Sequence, residues 1–240
     1  AYCHEIAKKF GPITIITLCK NLEEALNDDP LIRKVVFINK YHKRFIDILN
    51  LKQFLNSFNL DQIFIFYPSL RIYLASILSN IKKVYSYPIF KKKNLHLIEA
   101  AKKFTEKSLN IKNCPTETKF FIKKNKIEEI NKNFDHKKFK IVIGAGSSGP
   151  TTKWVTKKFY DLINKLNNTG DYYFFILCGP DDRALSDEIT NNVIKNNCFS
   201  LYNKKIEEVI PYLCSSNMYV GNDSFGSHVT SQSGIKSLVI

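Results

Sequence analysis

The chain has 240 residues, 44% hydrophobic and 13% aromatic, which is enough to build one large core or two of ordinary size and excludes a disordered chain. Thirty-six basic residues against twenty-two acidic give a net charge of +14. That charge attracts phosphates on nucleic acid, anionic lipid or a phosphorylated substrate, although richness in Lys, Asn and Ile with little Arg also fits an AT-rich genome. No run of about 18 uncharged apolar residues is present, and the start, "AYCHEIAKKFGP", lacks the n- and h-regions of a secretory signal. The six cysteines, Cys3, Cys19, Cys114, Cys178, Cys198 and Cys214, form no C-x-x-C pair and read as reduced, mostly buried thiols of a cytosolic protein.

In chain order, residue 1 falls inside a helix, and strands are expected at 13 to 18, 34 to 39, 62 to 67 and 82 to 87. Helices follow from the periodicity of "RFIDILNLKQFLNSF" and "LRIYLASILSN". A charged stretch with no clear strand comes next. A second series then runs through strands at 140 to 145, 172 to 179, "CFSLY" and 218 to 223, with helices at "KKFYDLINKLN", "RALSDEITNNVIK" and "IEEVIPYLCSS". Alternation of this kind is the sequence form of parallel α/β sheets. It divides the chain into α/β domains at 1–110 and 139–240, joined by 111–138. The chain opens without a first strand and stops on the strand "SLVI", so it reads as an interior fragment truncated at both termini.

In an open parallel sheet, ligands collect outside the carboxyl ends of the strands, and three loops there have unusual composition. "GAGSSGPTTKW", Gly144 to Trp154, offers small residues, hydroxyls and Lys153 to phosphate oxygens. It has neither P-loop nor G-x-G-x-x-G spacing, and taken alone it reads as a flexible turn. "CGPDDR" is ordinary turn and N-cap chemistry, in which a carboxylate can also bind a ribose diol. "GNDSFGSH" stands where a strand hands over to a helix starting near Ser224, with Asp223 at the N-cap and His228 one turn in. The first N–H groups of such a helix can bind an anion.

Together these loops resemble glycosyltransferase family 9, whose pattern has a small-and-hydroxyl loop before "K-x-W", then "GGP-[DE]", then "GND-[ST]-G-x-x-H". In the first half, "NDDPLIRKVVFIN", "FYPSLRIYLASIL" and His96 fit the looser part of the pattern. The resemblance implies a GT-B architecture of two Rossmann-like domains facing across a cleft, with the acceptor toward the N-terminal domain and the donor in the C-terminal one. It also implies an inverting, metal-independent transfer of a sugar, heptose or similar, from a nucleotide-diphosphate sugar to a lipopolysaccharide-type or other glycan acceptor, with no cofactor. By the same resemblance, Ser147 and Ser148 lie beside the donor phosphates, Asp223, Ser224, Gly226 and His228 at the diphosphate and sugar, and Asp181 at the ribose. The family lysine two places before the tryptophan is Thr152 here, so Lys153 substitutes. Phe225 stands where the family has glycine, and Tyr67-Pro68 replaces a "Q-G".

The family's general base lies in a loop that would precede residue 1, so the catalytic residue is unassigned and this chain alone is expected to bind donor without transferring sugar. Asp47 and Asp61 sit before or between elements, away from the carboxyl ends of strands. The expected location is the cytoplasm, with peripheral contact on the anionic inner membrane face open. Other readings are a non-catalytic sugar-nucleotide binder, a GT-B epimerase, or a basic nucleic-acid module. The scattered lysines speak against specific nucleic-acid binding.

Overall fold

A computed structural model describes residues 1–38, 47–88, 95–135, 137–147 and 153–240. The chain splits into two compact units, one of Ala1–Lys20 with Pro30–Glu117, the other of Asn21–Asp29 with Thr118–Ile240.

In chain order the elements are α1 (Tyr2–Phe10), β1 (Ile13–Thr17), α2 (Leu22–Leu26), β2 (Ile32–Phe37), α3 (Asp47–Asn56), β3 (Gln62–Ile65), α4 (Leu70–Ile77), β4 (Lys83–Ser86) and α5 (Leu97–Leu109). After these come α6 (Lys124–Asn133), β5 (Phe139–Gly144), α7 (Thr156–Asn167), β6 (Tyr172–Leu177), α8 (Arg183–Asn192), β7 (Cys198–Ser200), α9 (Ile206–Cys214), β8 (Met218–Gly221), α10 (Phe225–Gln232) and β9 (Lys236–Val239).

In the first unit β1 pairs with β2 and β3 with β4, both in parallel, as two separate sheets. Leu51 and Leu55 of α3, Ala75 of α4 and Ile81 form its buried cluster, with Ile16, Ile63, Ile72 and Val84 against it. Helix α5, not anticipated from periodicity, buries Ala101, Thr105 and Leu109 at four-residue spacing. His96 is its N-cap, accepting from the Ile98 N–H at 3.3 Å, and Asn110 ends it in the left-handed conformation at φ 52°.

The second unit holds five parallel strands in the order β7-β6-β5-β8-β9. The chain starts at β5, moves outward through β6 and β7, then returns to β8 on the other side. The order therefore reverses between β5 and β8, the switch point where doubly wound sheets bind ligands. Alternate residues of the strands feed two cores, one on each face. Ile141, Ile143, Phe174 and Ile176 meet Phe159 and Ile163 of α7 and Ile189 of α8. Val142, Phe175 and Tyr219 meet Val209 and Leu213 of α9 and Val229 of α10.

Helix α2 follows β1 in sequence but packs with the second unit, against α9. Glu24 of the helix and Asp28 just past its end explain why. The Glu24 carboxylate accepts the first helical N–H of α9, from Ile206, at 3.1 Å. The Asp28 carboxylate accepts the N–H of Lys123, N-cap of α6, at 3.2 Å and pairs with the Lys126 ammonium at 2.9 Å. Each acid satisfies a helix start that has no intrahelical acceptor and that favours negative charge.

The Cys178 and Cys198 thiols are pushed up to about 12, both by burial and Cys178 further by the nearby Asp182 carboxylate. Cys19, in contrast, is exposed. Among the described residues no helix is long and apolar enough to cross a membrane, and no metal-binding group of His, Cys, Asp or Glu is found.

Burial by itself would raise the Asp28 carboxyl, but the hydrogen bonds from Lys126 and the Lys123 N–H and the two ammonium charges outweigh it and hold the carboxyl below its ordinary value. A lowered carboxyl contributes stability above its unfolded pKa and loses it as the pH falls through the folded one. Asp28→Asn is therefore expected to cost about 2 kcal/mol at pH 7. That deficit should shrink as the pH drops below about 4, measured by urea unfolding at a series of pH values. A deficit independent of pH would show that the carboxylate charge is not what anchors α2.

Candidate functional site

The ends of β5 and β8 lie side by side, with Gly144 paired to Gly221. A Cβ on Gly221 would stand 2.4 Å from the Gly144 carbonyl oxygen, and one on Gly144 would stand 1.9 Å from the Tyr219 hydroxyl. Only glycine fits at either place.

Asn222, fully buried, fastens the two loops together. Its backbone N–H donates to the Gly144 carbonyl at 2.9 Å, its side-chain amide donates to the Ala145 carbonyl at 2.8 Å, and its side-chain oxygen accepts the Trp154 N–H at 2.9 Å. One side chain thus ties both ends of the β5–α7 loop to the β8–α10 loop. Beneath it the buried Tyr219 hydroxyl donates to the Asn222 carbonyl at 2.7 Å and lies 3.1 Å from Ser224 Oγ. Burial raises the Tyr219 phenol above its ordinary value, so the hydroxyl stays protonated as a donor.

Helix α10 begins at Phe225 with Ser224 as N-cap, one place later than the sequence suggests for Asp223. Ser227 Oγ accepts the Ser224 N–H at 3.2 Å and lies 3.1 Å from Asp223 Oδ1. Asp223 is thereby held just before the helix start with its carboxylate largely exposed. His228 Nε2 is 3.5 Å from the same Oδ1, and the His228 side chain is 69% exposed, so His228 belongs to the surface of the helix start and not to the core. Gly226 is buried against β6 and β8, where a Cβ would stand 2.4 Å from Leu177 Cδ2 and 2.8 Å from the Tyr219 ring. Phe225, in contrast, is 37% exposed at the first position of the helix.

The loop after β5 curls over β6, the N–H groups of Ala145 and Gly146 both pointing at the Leu177 carbonyl at 3.1 and 3.2 Å. Ser147 follows, half-buried. Ser148 and Thr152 lie outside the described residues. Lys153 emerges beside Trp154 with its ammonium 3.5 Å from Asp182 Oδ1. In the turn after β6, Asp181 is exposed at the tip, while Asp182 folds back to accept the Gly179 N–H at 3.2 Å.

The structure therefore brings Lys153 together with the β6 turn and Asp223 together with His228. Sequence reasoning missed Asn222, Tyr219 and Asp182. Asn222 stood inside the quoted "GND" but between louder residues; the signal for Tyr219 was a lone aromatic two places before a glycine.

Residues 80–237, more than half of the chain, match the sequence pattern of glycosyltransferase family 9 (heptosyltransferase). Among solved structures, the chain is similar to the glycosyl transferase family 9 protein of Veillonella parvula DSM 2008, with a TM-score of 0.74 and 16% identity, covering 99% of this chain and 75% of that one. For the ADP-heptose lps heptosyltransferase II of E. coli the TM-score is 0.75 and the identity 12%, covering 99% and 78%. For an E. coli heptosyltransferase solved with ADP-2-deoxy-2-fluoro heptose they are 0.68 and 13%, covering 99% and 82%. No curated protein matches the sequence. At such identities the structural likeness establishes the fold, the α/β architecture of GT-B glycosyltransferases.

Asn222→Ala leaves the Ala145 carbonyl and the Trp154 N–H without their partner, and each buried orphan carries a desolvation penalty. The variant is expected to lose about 3 kcal/mol of stability, read from urea unfolding by the fluorescence of Trp154, the single tryptophan. A variant as stable as the parent would show that the loops hold together without Asn222.

Proposed function

The chain belongs to glycosyltransferase family 9, and from that premise we propose that its second unit binds a nucleotide-diphosphate sugar, with ADP-heptose or a similar sugar as donor, for inverting transfer to a lipopolysaccharide-type glycan. The observation that carries this reading is the convergence at the β5–β8 switch point of the β5–α7 and β8–α10 loops, fastened to each other by Asn222, with the turn after β6 joined to them through Lys153 and Asp182. The donor class follows the names of its structural neighbours, which include an ADP-heptose lps heptosyltransferase and an enzyme solved with an ADP-heptose analogue.

Each residue then has a part that its position permits. The diphosphate lies over the start of α10, where backbone N–H groups without intrahelical acceptors and the positive end of the helix favour an anion. Ser147 adds a hydroxyl donor, Ser148 joins it by its place in the family pattern, Ser224 caps the helix start, and Lys153 adds a positive charge. Asp223 and His228, exposed and 3.5 Å apart, meet the sugar and the phosphate next to it. Asp181, exposed while Asp182 is engaged, meets the ribose diol.

In the transfer the acceptor hydroxyl attacks the anomeric carbon on the face opposite the diphosphate. A base takes its proton as the C–O bond forms, and the bond to the diphosphate oxygen breaks. The charge gathering on that oxygen is stabilised by the helix start, the hydroxyls and Lys153, without a metal step. The base is assigned to none of the described carboxylates. A second reading, a sugar-nucleotide binder without turnover, draws on Phe225, a ring at the helix start where the family pattern has glycine.

Calorimetry tests the donor reading. ADP, UDP or GDP should bind more tightly than the matching monophosphate, because the second phosphate supplies the anion for the helix start. His228→Ala should weaken the diphosphate by about 1 to 3 kcal/mol and leave the melting temperature unchanged, as befits an exposed side chain. Equal and negligible binding of all nucleotides would contradict the proposal.

A further inference from the structure

Asp182 is more firmly seated than a turn residue needs to be. Its Oδ2 accepts the Gly179 N–H at 3.2 Å, and its own N–H donates to the Gly179 carbonyl at 3.0 Å, so the four-residue turn is closed from both sides. As N-cap of α8 it also accepts the Ser186 N–H on its carbonyl at 3.1 Å, and its carboxylate sits at the positive end of that helix. Two glycines leave room for the carboxylate. A Cβ on Gly146 would stand 3.1 Å from Oδ2 and one on Gly179 would stand 3.3 Å from it. The second oxygen, Oδ1, is the one that reaches Lys153, at 3.5 Å.

A half-exposed ion pair of this kind contributes little to stability. What it does change is the freedom of the lysine. Lys153 carries an ammonium on a flexible four-carbon stem, and its neighbour in the chain, Trp154, is bound by Asn222. Held at one corner by a fixed carboxylate, the ammonium keeps further N–H donors for an anion, and its ordering is complete before the anion arrives.

We propose that Asp182 is a positioning residue that aims the Lys153 ammonium at the donor diphosphate, through a carboxylate seated between Gly146 and Gly179. This rests on the donor reading given above. Asp182 itself touches the lysine and the β6 turn and not the reacting atoms. The pair acts as a unit, so removing either member removes the same effect.

The test is calorimetry of ADP against the parent and four variants: Lys153→Ala, Asp182→Asn, Asp182→Glu and the double variant Lys153→Ala/Asp182→Asn. Asp182→Asn keeps an acceptor for the Gly179 N–H, so the turn should survive, and its melting temperature checks that. Lys153→Ala and Asp182→Asn should each weaken ADP about tenfold. The double variant should be no weaker than Lys153→Ala alone, since a shared interaction can be lost only once, and Asp182→Glu should recover part of the loss. A merely structural Asp182 would lower the melting temperature and multiply its loss with that of Lys153→Ala, and that result would overturn the inference. Tighter ADP binding by Asp182→Asn would overturn it too, by showing that the carboxylate competes with the phosphate. If the parent itself binds no nucleoside diphosphate, the donor reading fails first and the positioning role with it; a parent that binds while the variants match it would sink the positioning role alone.

Discussion

The three hydrogen bonds of Asn222 are the constraint on which the site depends. Parallel strands with a reversed order leave a crevice between β5 and β8, but a crevice by itself does not bring loops into register. Asn222 does so because a side-chain amide presents a donor and an acceptor at once. It uses one on the loop just after β5 and the other on the loop just before α7. The close packing of Gly144 and Gly221 follows, because the two backbones must come near enough for one short side chain to span them. Tyr219 follows as well, since its ring fills the space those glycines leave open and its hydroxyl supports the Asn222 carbonyl and the Ser224 cap.

Much of this was legible in the residues. The strands of the second unit lie where β-branched and aromatic runs placed them, and the inner strands β5, β6 and β8 stand out because they are buried on both faces and so read as continuous apolar segments. Helix α5 was harder to see. Its buried face consists of alanine, threonine and leucine at four-residue spacing, which gives little hydrophobic contrast against three lysines on the remaining surface. Helix α6 was missed for a similar reason, having only Ile130 buried. The docking of α2 on the second unit had no sequence signal, since an acid that caps a distant helix looks the same as an acid facing solvent.

The site shows the same division. Loop composition singled out Lys153, Asp223, Ser224 and His228 as candidates, because small, hydroxyl and charged residues crowd the strand ends there. It did not distinguish Asp181 from its neighbour Asp182, which differ only in which way a tight turn directs them. Nor did it place the helix start, where Ser224 and Asp223 are equally good caps and the backbone decides. Asn222 was hidden because its role is long-range, joining residues 68 and 77 positions away.

The central claim is that a nucleotide diphosphate rests over the β5–β8 crevice. The most direct measurement is the change in backbone amide chemical shifts of the chain on titration with ADP. The account predicts the largest changes at Gly146, Lys153, Trp154 and Asn222 and through the first turn of α10, from Phe225 to His228. Largest changes at the opposite, amino-terminal ends of the second unit's strands, with the Asn222 and α10 amides unmoved, would contradict it.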